Sequence, residues 1–114
     1  MFSTNSTIKV GHGVEYAYDV VDWAPFTMKL VEGVDHYVTI VTDDMDTITV
    51  TKDTRLLTAR GVWVRADRLE QGEVLKHSPC NTTVLQRIWL KTPIDMYEVS
   101  GTDYVTVNGF IIDC

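Results

Sequence analysis

The stretch Tyr37-Val38-Thr39-Ile40-Val41-Thr42-Asp43-Asp44-Met45-Asp46-Thr47-Ile48-Thr49-Val50-Thr51 decides how the rest of the chain is read. Tyr37, Thr39 and Val41 alternate with Val38, Ile40 and Thr42, and a second alternating run covers 47–51. Period-2 alternation puts successive side chains on opposite faces of a pleated strand. Two such runs joined by a short acidic connection predict a β-hairpin. The acidic tip, Asp43, Asp44 and Asp46, lacks the ligand spacing and the closing glutamate of a calcium loop and reads as a solvated turn.

The same grammar continues outward in both directions. Upstream, Thr7–Val10 is a short strand candidate and Gly11-His12-Gly13 is turn chemistry. Val14–Val21 reads as a second strand, broken at Asp22–Pro25. Met28–Val31 reads as a third, ended by Glu32-Gly33. Downstream, Val62–Val64 is a short strand, Ala66–Glu70 makes one helical turn, and Val74-Leu75 resumes extended structure. Lys76–Asn81 is a loop containing Ser78-Pro79. Thr83–Leu90 is a long strand, followed by short ones at 97–99, 104–107 and 110–112. Asn108-Gly109 between the last two predicts a type I′ turn, because both central residues of that turn need positive φ.

Composition agrees. Val, Thr and Ile make up one third of the 114 residues, and their branched side chains favour strands. The length predicts one domain with a modest core. A net charge of −6 lacks the basic footprint of a nucleic-acid binder or of a protein drawn to anionic lipid. No apolar run approaches the ~18 to 20 residues of a membrane span, and no signal peptide is evident. Cys80 and Cys114 read as two free thiols of a reducing compartment, so a cytoplasmic location is expected.

The usual chemical motifs are missing. There is no P-loop, no G-x-G-x-x-G and no G-x-S-x-G. His12, His36, His77, Cys80 and Cys114 show no paired zinc spacing; His77 and Cys80 stand three apart without a second pair. Trp23, Trp63 and Trp89 read as core or rim residues in so acidic a chain.

Two segments carry a resemblance. The first runs Ile48-Thr49-Val50-Thr51-Lys52-Asp53-Thr54-Arg55-Leu56-Leu57-Thr58, then Gly61-Val62-Trp63-Val64-Arg65-Ala66, then Leu69-Glu70-Gln71-Gly72-Glu73. The second runs from Met96 through Gly101-Thr102-Asp103 and Asn108-Gly109 to Cys114. In order and spacing these resemble the central and closing blocks of the Hint superfamily, the self-processing domains of inteins and Hedgehog-type proteins. Met1-Phe2 with Thr7-Ile8 is similar to the family's opening, which begins Cys-Phe. The resemblance implies an all-β, horseshoe-like Hint fold of short strands with pseudo-two-fold symmetry, as one domain over 1–114 and with no endonuclease insert. It also implies that residues 1 and 114 lie close in space.

The departures from the family fall on its chemistry. The family's first nucleophile is a Cys or Ser that attacks the preceding carbonyl. That position holds Met1, whose thioether has no proton to lose. The histidine of T-x-x-H, a general acid for the departing amide nitrogen, is replaced by Thr54, which reads as a turn residue unable to donate usefully near neutral pH. The family threonine is retained as Thr51, a candidate to hold the scissile amide. Asp103 stands at a further histidine position. Asp113 and Cys114 occupy the places of the penultimate histidine and terminal asparagine, so cyclisation has no amide to use. Glu98 lies near an acidic position of the closing block, and Asp53 is a candidate substitute acid.

The candidate site is therefore Met1, Thr51, Thr54, Asp113 and Cys114. The resemblance implies autoprocessing by acyl shift, in splicing or self-cleavage, inactive or atypical in this sequence. It implies no cofactor and no metal, a monomer, and no partner beyond the chain's own flanking segments. Two alternatives stand beside it: a non-catalytic structural or interaction module on a Hint scaffold, and an unrelated small β-barrel that binds through Trp and Tyr. Distant termini would favour the last; adjacent termini faced by Thr51 would favour the other two.

Overall fold

The computed structural model describes residues 1–3, 8–10, 14–16 and 27–114. The Gly11-His12-Gly13 turn, the strand extension over 17–21, the break at 22–25 and Trp23 lie outside the described residues. Strands β1 (Phe2–Ser3), β4 (Thr27–Val34), β5 (Tyr37–Thr42), β6 (Thr47–Thr51), β9 (Val74–Leu75), β10 (Thr82–Leu90) and β11 (Ile94–Ser100) form one sheet in the order β4-β11-β1-β6-β5-β10-β9. Strands β2 (Ile8–Val10), β3 (Val14–Tyr16), β7 (Arg55–Leu57), β8 (Trp63–Arg65), β12 (Tyr104–Val107) and β13 (Phe110–Asp113) form a second, in the order β3-β2-β12-β13-β7-β8. Every pairing among the described strands is antiparallel. Ala66–Arg68 makes a single 3-10 turn, where one helical turn was expected.

The opening hairpin pairs as its alternation predicts. Val38 faces Val50 and Ile40 faces Ile48 across β5 and β6, and all four are buried. Opposite residues of a ladder share a face, so these pairs make one wall of the core. Leu56, Val105, Val107, Phe110 and Ile112 of the second sheet make the other. Phe2 packs into the same cluster. Burial at ~1.5 to 3 kcal/mol per large aliphatic side chain holds the two walls together.

Local turn chemistry sets the register. Asn108 and Gly109 adopt φ of 52° and 86°, the two positive values of a type I′ turn, and β12 pairs with β13 residue by residue. At Gly33 the outcome differs from the expectation. Glu32-Gly33 does not end the strand; β4 runs on to Val34 with Gly33 at φ 69°. Between the Val31–Met96 and Val34–Ile94 pairs, β4 spends one residue more than β11. A glycine in the left-handed region absorbs that extra residue as a bulge and lets pairing resume.

The acidic hairpin tip also does more than face water. The Asp43 carboxylate accepts hydrogen bonds from the Thr82 hydroxyl and the Thr83 N–H, both at 3.1 Å. It thereby ties the tip to the start of β10.

Candidate functional site around residues 1 and 114

Strand β1 is only two residues long but is wedged between β6 and β11, with Phe2 opposite both Val50 and Tyr97. This places residue 1 at the end of β6, where the chain turns through Lys52-Asp53 into Thr54. Thr51 and Thr54 are both buried there. The nitrogen of Met1 donates to the Thr51 hydroxyl at 2.9 Å and to the Thr54 hydroxyl at 3.0 Å. The Met1 carbonyl accepts from the Thr51 N–H at 2.9 Å, with the two hydroxyls at 3.4 and 3.3 Å. The hydroxyls themselves are 2.6 Å apart. Thr54 is held in turn by its own N–H, which donates to the Thr51 carbonyl at 3.0 Å, and by its carbonyl, which accepts from the Ala66 N–H at 2.8 Å.

Thr54 is thus not the inert turn residue that its sequence position suggests. Its hydroxyl grips the backbone of residue 1 on the same side as Thr51. The grip carries no acid of useful strength: a threonine hydroxyl is a hydrogen-bond partner for an amide nitrogen, not a proton source near neutral pH. Asp53 is exposed and acts on that nitrogen through its charge. Burial pulls the Met1 amine of this chain below its ordinary value, against the opposing charges of Asp53, Cys114 and Glu98.

Residues 1 and 114 come together, as the resemblance implies. Met1, Phe2, Glu98, Ser100, Thr102, Asp113 and Cys114 line one open cavity of about 330 Å³. Strand β11 supplies Glu98 and Ser100, and β13 delivers Asp113. The N–H of Cys114 donates to the Asp103 carbonyl at 3.1 Å, which fixes the last residue beside the Gly101–Asp103 turn. Asp103 thus contributes its backbone, and its side chain is not among the cavity residues.

Asp113 is engaged by the Arg55 guanidinium in an ion pair. Sequence reasoning missed Arg55, which follows Thr54 directly; the antiparallel pairing of Leu56 with Ile112 brings it to Asp113, and no local pattern in the sequence shows that pairing. The free thiol of Cys114 belongs to an exposed residue, yet partial burial and the neighbouring Asp113 carboxylate push it up to about 11. The cavity therefore holds one nucleophilic side chain of real strength, and holds it mainly as the thiol at neutral pH.

Among the described residues no group of three or more His, Cys, Asp or Glu side chains could hold a metal ion. The His77–Cys80 spacing serves a structural end. The His77 ring lies against the Cys80 carbonyl through Nδ1 (3.1 Å) and the Asn108 carbonyl through Nε2 (2.9 Å), with Asp46 at 3.4 Å and Phe110 edge-on. It joins the 76–81 loop to the Asn108-Gly109 turn, well removed from residue 1 in the chain's topology.

No family model and no curated protein matches the sequence. Solved structures do match. The DnaB intein from Synechocystis sp. PCC 6803 superposes with a TM-score of 0.73 at 18% identity, over 99% of this chain and 96% of that one. The gp41-1 intein gives 0.68 at 13% identity, over 99% and 97%. The bacterial intein-like domain from Clostridium thermocellum gives 0.69 at 15%, over 99% and 97%. The unrelated-barrel reading falls with these superpositions. From the two antiparallel sheets, the meeting of residues 1 and 114 and these matches, the chain has the Hint fold of inteins.

Proposed function

We propose that this chain is an intein-like autoprocessing domain in which the acyl-accepting role has passed from residue 1 to Cys114. The observation that carries the reading is the grip of Thr51 and Thr54 on both backbone polar groups of residue 1, at the rim of the cavity that holds Cys114. The nitrogen held here is the terminal ammonium, which donates to both hydroxyls; the amide it stands in for has one N–H to give them, and orientation of the reacting groups is worth several kcal/mol of barrier. Met1 itself has no nucleophile to offer.

When a polypeptide precedes residue 1, the Cys114 thiolate attacks the carbonyl carbon of the peptide bond to Met1. The C–N bond breaks, a thioester forms on Cys114 Sγ, and the proton lost by the thiol ends on the Met1 nitrogen. Water then hydrolyses the thioester, and the upstream segment leaves with a free carboxylate. Without an imidazole at position 54 to protonate the departing nitrogen, the step is slow. The substrate is the chain's own flanking segment, the chemistry uses protein groups alone, and turnover is single.

The test is a fusion with an inert, well-folded domain before residue 1 and another after residue 114, followed by intact mass. Cleavage at residue 1 that is lost in Cys114→Ala supports the reading, as does release by hydroxylamine. A fusion that stays intact through days at pH 9 overturns it. A second reading has its own support: the thiol raised to about 11 and the threonine at position 54 both fit a Hint scaffold kept as a structural or interaction module. The intact fusion is the result that this second reading expects.

A further inference from the structure

We propose that the outer edge of β10, from Leu85 to Leu90, is a docking strand for an extended acidic polypeptide segment of another protein. On one side β10 pairs with β5 along its length. On the other, β9 reaches only Thr82 and Thr83, and Val84 bonds to the backbone of Gly72 and Glu73. A register shift against β5 falls between Val84 and Gln86, just where pairing with β9 and with the Gly72-Glu73 backbone stops. Beyond it, among the described residues, no strand covers the free edge. An uncovered edge offers its N–H and C=O groups to any chain that can lie extended along it.

The side chains of this edge are apolar and basic together. Leu85, Ile88, Trp89 and Leu90 are all exposed. Arg87 and Trp89 lie opposite Ile40 and Val38, so they continue the inward face of the sheet past its core. The Lys52 ammonium stands 5.5 Å from the centre of the Trp89 ring and the Arg87 guanidinium 5.4 Å. Arg87 also donates to the Asp67 backbone carbonyl at 2.6 Å, while the Asp67 carboxylate is taken by Arg65. Neither Lys52 nor Arg87 has a carboxylate partner among the described residues, in a chain with 16 acidic side chains against 10 basic ones. Cations stacked on an aromatic ring beside a strand edge that no described strand pairs are arranged to receive carboxylates. A two-fold pairing of the edge with a second copy would set Lys52 and Arg87 against their own images, which disfavours that occupant.

The probe is an end-blocked eight-residue peptide alternating glutamate with valine, titrated into the isotope-labelled chain and followed by amide shifts and calorimetry. Controls alternate lysine with valine, or carry N-methyl groups on every second amide of the acidic peptide. Expected are shifts centred on residues 85–90, at least tenfold weaker binding in Lys52→Glu and in Arg87→Glu, and loss of binding for both control peptides. Circular dichroism checks that the variants are folded; Lys52 is exposed, with its ammonium over the Trp89 ring, so its substitution spares the core. No binding at millimolar peptide, equal binding of the lysine peptide, or shifts centred elsewhere overturns the proposal. So does sedimentation showing that the chain dimerises through this edge.

Discussion

The hydroxyls of Thr51 and Thr54 lie 2.6 Å apart and hold the nitrogen of residue 1 between them. Two hydroxyl protons must serve each other and the Met1 carbonyl, so the two side chains act as a unit. Thr51→Val and Thr54→Val keep shape and remove the hydroxyl. Each should cost about 1 to 2 kcal/mol, because a buried partner is left unsatisfied. The double variant should cost less than the sum by about 0.5 kcal/mol or more. Urea unfolding of the four proteins checks this.

Cys114 gives a pH prediction. Its thiol is raised to about 11 by partial burial and by Asp113. In a Cys80→Ser background, the alkylation rate by iodoacetamide should rise to a midpoint of about 11. A midpoint in the ordinary range of ~8.5 would contradict the site's electrostatics. Because the fold favours the protonated thiol, this group's contribution to stability is fully present below its ordinary value. It is lost as pH climbs toward 11. Processing through Cys114 should accelerate over the same range.

Gly109 separates two costs of a side chain. Its φ is 86°, and a Cβ there would come within 2.6 Å of His77 Nε2 and 2.7 Å of the Ser78 carbonyl. Gly61 has φ 81° and open space around it. Gly61→Ala should cost about 1 kcal/mol from backbone strain. Gly109→Ala should cost at least twice that, and should release the 76–81 loop. Thermal unfolding and limited proteolysis at that loop read the difference.

Asp43 should be felt in β10. Asp43→Ala removes the acceptor of the Thr82 hydroxyl and the Thr83 N–H. Amide exchange at Thr83 should quicken, with a stability loss of about 1 kcal/mol.

What was legible in the sequence was local. The 37–51 hairpin and the Asn108-Gly109 turn announce themselves within a few residues, because alternation and turn chemistry are properties of neighbours. Glu32-Gly33 misled for the same reason: a glycine that ends a strand and one that carries a bulge look alike until the partner strand is known. The site needed long range. Thr54 finds residue 1 from 53 positions away, and Arg55 finds Asp113 from 58. No local pattern shows either contact. The resemblance pointed to positions 1, 51, 54, 113 and 114, but the work that Thr54 does in the fold came only from its neighbours in space. Trp89 was legible only as a core or rim residue of a long strand; that it stands on an uncovered edge depends on where β9 stops.

The most direct measurement restores the missing groups. In the flanked fusion, Met1→Cys with Thr54→His returns a nucleophile to residue 1 and an acid to the nitrogen it must release, on a backbone already gripped by Thr51. Intact mass over time should show cleavage at residue 1 that is at least a hundredfold faster than in the unaltered fusion. A folded, doubly restored fusion that remains intact would mean that the grip on residue 1 does not present a scissile amide. The autoprocessing account would then fail.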